Sequence, residues 1–163
     1  MSHNKNENNE RVPTIVFLCT GNTCRSPMAA ALAGLLLQEA GEMGIKIHSA
    51  GVNTWGGQPA SLNAILAMED ENINIREHKS QLLTNVMLSE ATLILTMTQN
   101  HLLAVLDICP TAKAYTLGEY AGFDGDVTDP FGGDLSTYRA CAAQIKHLLM
   151  LCMTKIREDL WKH

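Results

Sequence analysis

Cys19 and Arg25 bracket five residues in the run Cys19-Thr20-Gly21-Asn22-Thr23-Cys24-Arg25-Ser26-Pro27. A cysteine is a nucleophile, and the rigid fork of an arginine holds two oxygens of a tetrahedral anion at once. A loop of this length leading into a helix can turn successive backbone N–H groups inward around such an anion. Gly21 and Asn22 tolerate the left-handed backbone that the curl needs. The helix N-terminus and Arg25 together favour a negatively charged sulfur at Cys19. Thr20, Gly21, Asn22, Thr23, Cys24, Arg25 and Ser26 are therefore candidate anion-binding residues, with Cys19 beneath them in line for displacement at phosphorus. Ser26 has two compatible jobs, a helix cap or a hydroxyl donor steadying the sulfur as a leaving group. A nucleotide-binding loop would end in Gly-Lys-Ser/Thr, and Arg25-Ser26 stands there instead.

A cysteine that expels an alkoxide or amine needs a proton donor. Asp129 is the best candidate, in Asp126-Val127-Thr128-Asp129-Pro130-Phe131-Gly132-Gly133. Pro130 stiffens that turn and the glycines let it close over a ligand. Asp-Pro alone is an ordinary turn signal, and the cysteine loop is what gives it chemical meaning.

These residues need a scaffold, and the chain alternates short β-rich runs with amphipathic stretches, the mark of βαβ units. Thr14 to Cys19 is a continuous apolar run suited to a central parallel strand. Further strands are expected at Ile45–Ser49, Thr92–Met97 and Ala112–Thr116. Helix one runs from Ser26 and Pro27 to Gly41, and others cover Ala60–Glu69 and Gln99–Leu106. The last helix starts near Asp134, because Leu135, Tyr138, Ala142, Ile145, Leu149, Cys152, Ile156 and Leu160 recur at spacings of three and four. The expected fold is one three-layer α/β/α domain over residues 13–163 with a four-stranded parallel sheet and the phosphate loop between strand 1 and helix 1. Residues 1–12 read as a disordered tail.

At 163 residues, 46% hydrophobic and 18% charged, the chain suits one folded domain. Its formal net charge of -5 excludes a global basic field for nucleic acid or an anionic membrane, so any anion site must be local. Met28 to Leu37, the longest apolar run, is about half the roughly 20 residues that a membrane span needs. Met1 to Arg11 has neither the apolar core of a secretory signal nor the character of a transit peptide. The five cysteines show no disulfide or zinc spacing, which points to the reducing cytoplasm. Cys109, Cys141 and Cys152 read as packing residues.

The Cys-x5-Arg-Ser-Pro loop near the N-terminus, followed by an Asp-Pro loop near residue 130, resembles the low-molecular-weight protein tyrosine phosphatases. The resemblance runs from about Thr14 to the C-terminus. It implies a parallel sheet of order 2-1-3-4, a mechanism without metal or cofactor, and phosphorylated proteins as substrates. It also implies catalytic roles: Cys19 forms a phosphocysteine, Arg25 and the loop amides hold the oxygens, and Asp129 serves as acid and then base. Asn22 resembles the family's loop-bracing asparagine, with Ser49 and His78 matching its supporting partners. On its own, His78 would read as an exposed loop histidine. Cys24 resembles a neighbouring cysteine that traps an oxidised nucleophile as a disulfide.

Tyrosine-directed members usually carry a branched aliphatic residue where Thr23 stands. The loop from Cys19 to Ser26, with Asp129 to Gly133, resembles the bacterial branch that dephosphorylates protein phosphoarginine. Thr23 can pair with a guanidinium nitrogen and Asp129 can meet a cationic leaving group. Trp55 at the rim and Phe131 beside Asp129 complete the expected substrate pocket, and an aromatic face attracts a guanidinium as well as a phenyl ring. Phosphoarginine is the favoured substrate, with phosphotyrosine as the alternative. Arsenate reductase shares the loop but needs two further cysteines after the third strand, and Leu95 to His101 holds none. A phosphate-binding pseudophosphatase would have lost Cys19, Arg25 or Asp129. Oligomeric state carries no signal in the sequence.

Overall fold

A computed structural model describes residues 11–162; most of the expected N-terminal tail lies outside the described residues. Four parallel strands, β1 (Thr14–Cys19), β2 (Lys46–Gly51), β3 (Leu93–Thr96) and β4 (Ala114–Thr116), form one sheet in the order β2-β1-β3-β4. Among the described residues six helices accompany them: α1 (Arg25–Glu39), α2 (Leu62–Glu69), α3 (Asn85–Glu90), α4 (Gln99–Ile108), α5 (Leu117–Tyr120) and α6 (Leu135–Trp161). The fold class and strand order are those expected from the sequence.

The apolar run of β1 becomes the central strand because its two faces feed two cores. Ile15, Phe17 and Cys19 pack with α1, α2, α5 and α6, whereas Val16 and Leu18 meet α4 and the partly buried Met87 and Leu88 of α3. Burying a side chain such as Phe17 or Leu18 completely contributes about 1.5–3 kcal/mol, and all six residues of β1 are buried. On α6 the expected stripe is buried from Tyr138 to Leu160, and Leu135 at its start is half-buried. Asp134 caps that helix by accepting from the Thr137 N–H at 2.9 Å.

Some boundaries differ from expectation. β2 extends to Gly51, where parallel pairing with Cys19 continues the ladder. β4 begins only at Ala114, and helix one begins at Arg25 rather than at Ser26. Gly41, at φ +78°, ends that helix by donating to the Gln38 carbonyl while Glu42 N–H reaches Leu37. Helices α3 and α5 were not expected, since six and four residues are too short to show a period. Their signal was the threonine caps, Thr84 accepting from Met87 N–H and Thr116 from Glu119 N–H.

The order reverses at β1, because β2 lies on one side of it and β3 on the other. Ligands of open α/β sheets bind at the carboxyl ends of the strands beside such a reversal. The Cys19 loop and the segment after β3 meet there. Among the described residues, no helix is long and apolar enough to cross a membrane.

Candidate active site

The loop between β1 and α1 is curled by its carbonyls. Those of Cys19, Thr20 and Thr23 accept from Val52, Asn53 and Ser61 N–H at 3.0, 3.0 and 2.9 Å, and that of Asn22 accepts from His78 Nε2 at 2.7 Å. All four point outward and are satisfied. Among the described residues, no hydrogen bond engages the backbone N–H groups of Thr20 through Ser26. A ring of free amides beside the N-terminus of α1 is a nest for an oxyanion.

The curl turns on Asn22 alone, at φ +58°; Gly21 does not adopt a positive φ. Asn22 is fully buried. Its Nδ2 donates to Ser26 Oγ at 2.8 Å and Ser49 Oγ at 2.9 Å, while Oδ1 accepts from Gln81 N–H at 3.0 Å. An asparagine suits the position because it tolerates the left-handed region and braces the loop from inside. Ser49 thus bonds the Asn22 side chain and the half-buried His78 its carbonyl.

Ser26 is no helix cap. It sits inside the first turn of α1, and the capping position, Cys24, makes no side-chain cap bond. Its hydroxyl lies 2.9 Å from Cys19 Sγ and 3.4 Å from the Ala50 carbonyl. With Asn22 donating to the oxygen, the Ser26 hydrogen is free to turn to a thiolate.

Arg25 is 4% exposed at the base of a cavity of about 310 Å³. Its Nη1 donates to the Val127 carbonyl at 3.1 Å, and Nη2 lies 3.5 Å from Asp129 Oδ2. Val127 is itself held by its N–H on the Met97 carbonyl at 2.9 Å, which ties the acid loop to the end of β3. Asp129 is half exposed, and its Oδ1 accepts from Phe131 N–H at 3.1 Å. Cys19, Thr20, Gly21, Thr23, Cys24, Arg25, Asp129 and Phe131 share the cavity. The structure therefore brings together a cysteine thiol, a ring of free amides beside a buried guanidinium, and a carboxyl group.

Trp55 departs from expectation. At 98% exposed it is not among the residues that line the cavity, and it precedes the turn of Gly56 and Gly57, both at positive φ. Gln58 lines the wall in its place, because Ser80 holds the N–H groups of Gly57 and Gln58. Sequence reasoning also missed Tyr138, whose hydroxyl meets Cys24 Sγ at 3.2 Å, and His101, whose Nε2 meets Thr20 Oγ1 at 2.8 Å. Tyr138 belongs to the apolar stripe of α6, so its polar end left no separate signal. His101 falls just after β3, at the end of the sheet where a ligand binds, and that position was the available clue.

Burial, helped by the positive charge of Arg25, lowers the pKa of His101 to about 4, against the opposing pull of Asp126 and Asp129. The ring is neutral near pH 7. Burial pushes Cys141 up to about 12 and Cys152 up to about 11, which keeps both as thiols and fits their role in packing.

A Cys-x5-Arg cradle at the end of a central parallel strand, faced by an Asp-Pro loop, is the site of a phosphatase that works through a cysteine. The chain belongs to the low molecular weight phosphotyrosine protein phosphatase family, whose sequence model matches residues 14–162. A protein-arginine-phosphatase of Geobacillus stearothermophilus is 37% identical over 148 residues, covering 89% of this chain and 97% of that protein. A structure of the YwlE arginine phosphatase, a mutant with a phosphorylated active-site serine, aligns with a TM-score of 0.84 at 34% identity, covering 90% of this chain and 97% of that one. An arsenate reductase of Staphylococcus aureus is 35% identical over 133 residues, or 82% of this chain and 90% of that protein. This enzyme is a protein phosphatase of the low-molecular-weight class.

Proposed function

We propose that this phosphatase releases phosphate from arginine side chains of proteins, with Cys19 as nucleophile, Arg25 and the loop amides as oxyanion holders, and Asp129 as proton donor. The observation that carries the substrate choice is the cavity wall, where Thr23 and Asp129 stand together. A guanidinium meets a hydroxyl and a carboxylate there, whereas a phenyl ring would gain more from methyl groups. The name of the Geobacillus relative supports the same choice.

In the first step the Cys19 thiolate attacks phosphorus. The S–P bond forms as the P–N bond breaks, and Asp129 gives its proton to the departing nitrogen. In the second step water attacks phosphorus, its proton passes to the Asp129 carboxylate, and the S–P electrons return to sulfur. The Ser26 hydroxyl, 2.9 Å from Sγ, stabilises that sulfur as it leaves. Cys24 lines the same cavity, which supports its reading as the thiol that captures an oxidised Cys19. All five cysteines are free, in keeping with a cytoplasmic enzyme.

Phosphotyrosine is the second reading, favoured by Phe131, which lines the mouth while 80% exposed. Hydrolysis of phosphoarginine and phosphotyrosine proteins by wild type, Thr23→Ile and Cys19→Ser separates the two. Wild type is expected to prefer phosphoarginine, and Thr23→Ile to shift the ratio of kcat/KM toward phosphotyrosine by roughly tenfold or more. An unchanged ratio would remove the arginine reading. Activity surviving in Cys19→Ser would remove the mechanism.

A further inference from the structure

His101 is a polar side chain that the mechanism above does not use. It is 4% exposed, yet its Nδ1 is the one buried side-chain nitrogen or oxygen without a hydrogen-bond partner among the described residues. Its Nε2 lies 2.8 Å from Oγ1 of Thr20, the residue next to the nucleophile and part of the cavity wall. The ring is held there by its own backbone, in the first turn of α4, where His101 N–H donates to the Thr98 cap.

A neutral imidazole has one N–H. If the proton sat on Nδ1, a buried N–H would be orphaned, a rare arrangement in folded chains. With the proton on Nε2, the unpartnered nitrogen is a bare lone pair. The positive charge of Arg25 favours that lone pair, against the opposing pull of Asp126 and Asp129. Nε2–H then donates to Thr20 Oγ1, and the hydrogen of the Thr20 hydroxyl is left for another acceptor. The opposite tautomer would consume that hydrogen on the ring.

We propose that His101 is a positioning residue for the phosphatase reaction: by donating to Thr20 Oγ1 it commits the Thr20 hydroxyl to donate into the cavity that receives the phosphoryl group. The inference rests on the Cys19–Ser26 loop being the catalytic loop. His101 touches no reacting atom and acts only through Thr20. The lone imidazole after β3 thereby gains a role that does not depend on which phosphoresidue is the substrate.

The test is steady-state hydrolysis of a simple aryl phosphate, which both substrate readings accept, by wild type, Cys19→Ser, Thr20→Val, His101→Leu, His101→Gln and Thr20→Val with His101→Leu. Thr20→Val and His101→Leu should each lower kcat by roughly 10- to 100-fold with KM little changed, the share of one hydroxyl donor to a charged acceptor. The double variant should be no slower than the worse single one, and Gln, whose amide can donate to Thr20, should restore most of kcat. In parallel, nitrogen-15 NMR of the wild-type imidazoles should show His101 protonated at Nε2 and bare at Nδ1, a readout that needs no folded variant. A proton on Nδ1, multiplying losses in the double variant, or wild-type kcat in either Thr20→Val or His101→Leu overturns the proposal. An active Cys19→Ser enzyme would instead remove the catalytic loop and this inference with it.

Discussion

Replacing Asn22 tests how the phosphate loop is held open. Asn22→Ala removes three side-chain hydrogen bonds, to Ser26, Ser49 and Gln81, at a fully buried position. Each is worth about 1 kcal/mol net. Alanine must also adopt the φ of +58° that asparagine tolerates, at a cost of about 1 kcal/mol. The expected loss is about 4 kcal/mol, a fall in Tm of roughly 10 °C for a chain of this size. Asn22→Gly loses the same bonds but not the backbone tolerance, so it should be about 1 kcal/mol more stable than Asn22→Ala. Both should lower kcat, because Ser26 loses the donor that leaves its own hydrogen free for Cys19. Urea unfolding of the three proteins, alongside aryl phosphate hydrolysis, gives each number. A loss under about 1 kcal/mol in Asn22→Ala, or a glycine variant less stable than the alanine one, would refute the account of the loop.

His101 makes stability depend on pH. Its pKa of about 4 in the folded chain lies below an unfolded value of about 6.5, so the unfolded state binds the extra proton between them. Stability is full above about pH 6.5, falls on acidification toward pH 4 by on the order of 3 kcal/mol, and should lose that slope in His101→Gln when unfolding is followed across the range. Gly51→Ala would place a Cβ 2.5 Å from the Thr20 carbonyl oxygen and 3.1 Å from Asn22 N. The loop must shift, and kcat/KM should fall by roughly 100-fold while circular dichroism stays unchanged. Arg25→Lys loses the bond to Val127 and the planar fork, so kcat should fall by about 100-fold or more and phosphate inhibition should weaken.

The scaffold was legible because its signals were physical and local. The apolar run Thr14–Cys19 has to be buried on both faces, and the spacing on α6 admits one stripe. The helices α3 and α5 escaped because each is held by a threonine cap and its place in the fold, not by periodicity. In the site, Cys19, Arg25 and Asp129 were singled out by type and spacing, and they line one cavity. Trp55 was expected in the pocket from its place in the sequence, whereas the wall is lined by Gln58, beyond a turn of two positive-φ glycines. Tyr138 and His101 come from α6 and α4 to meet loop residues 114 and 81 positions away in sequence. Such contacts are set by how layers pack, and a one-dimensional pattern does not carry them. Ser26 shows a different limit: a good capping residue was claimed by a neighbouring sulfur.

The positive potential of the cradle lies in backbone amides and one guanidinium that is 4% exposed, inside a protein of formal net charge -5. Two fields of opposite sign therefore act at different ranges. Outside the mouth, an approaching polyanion meets a repulsion that physiological salt confines to within about 8 Å of the surface. Within the mouth, a single phosphoryl group meets attraction that dissolved ions scarcely screen. Encounter and capture are thus governed separately: added salt should speed the approach of acidic phosphoproteins without loosening the grip on the group transferred. A phosphoryl group carried on a neutral or basic stretch of chain escapes the outer barrier and needs no such help.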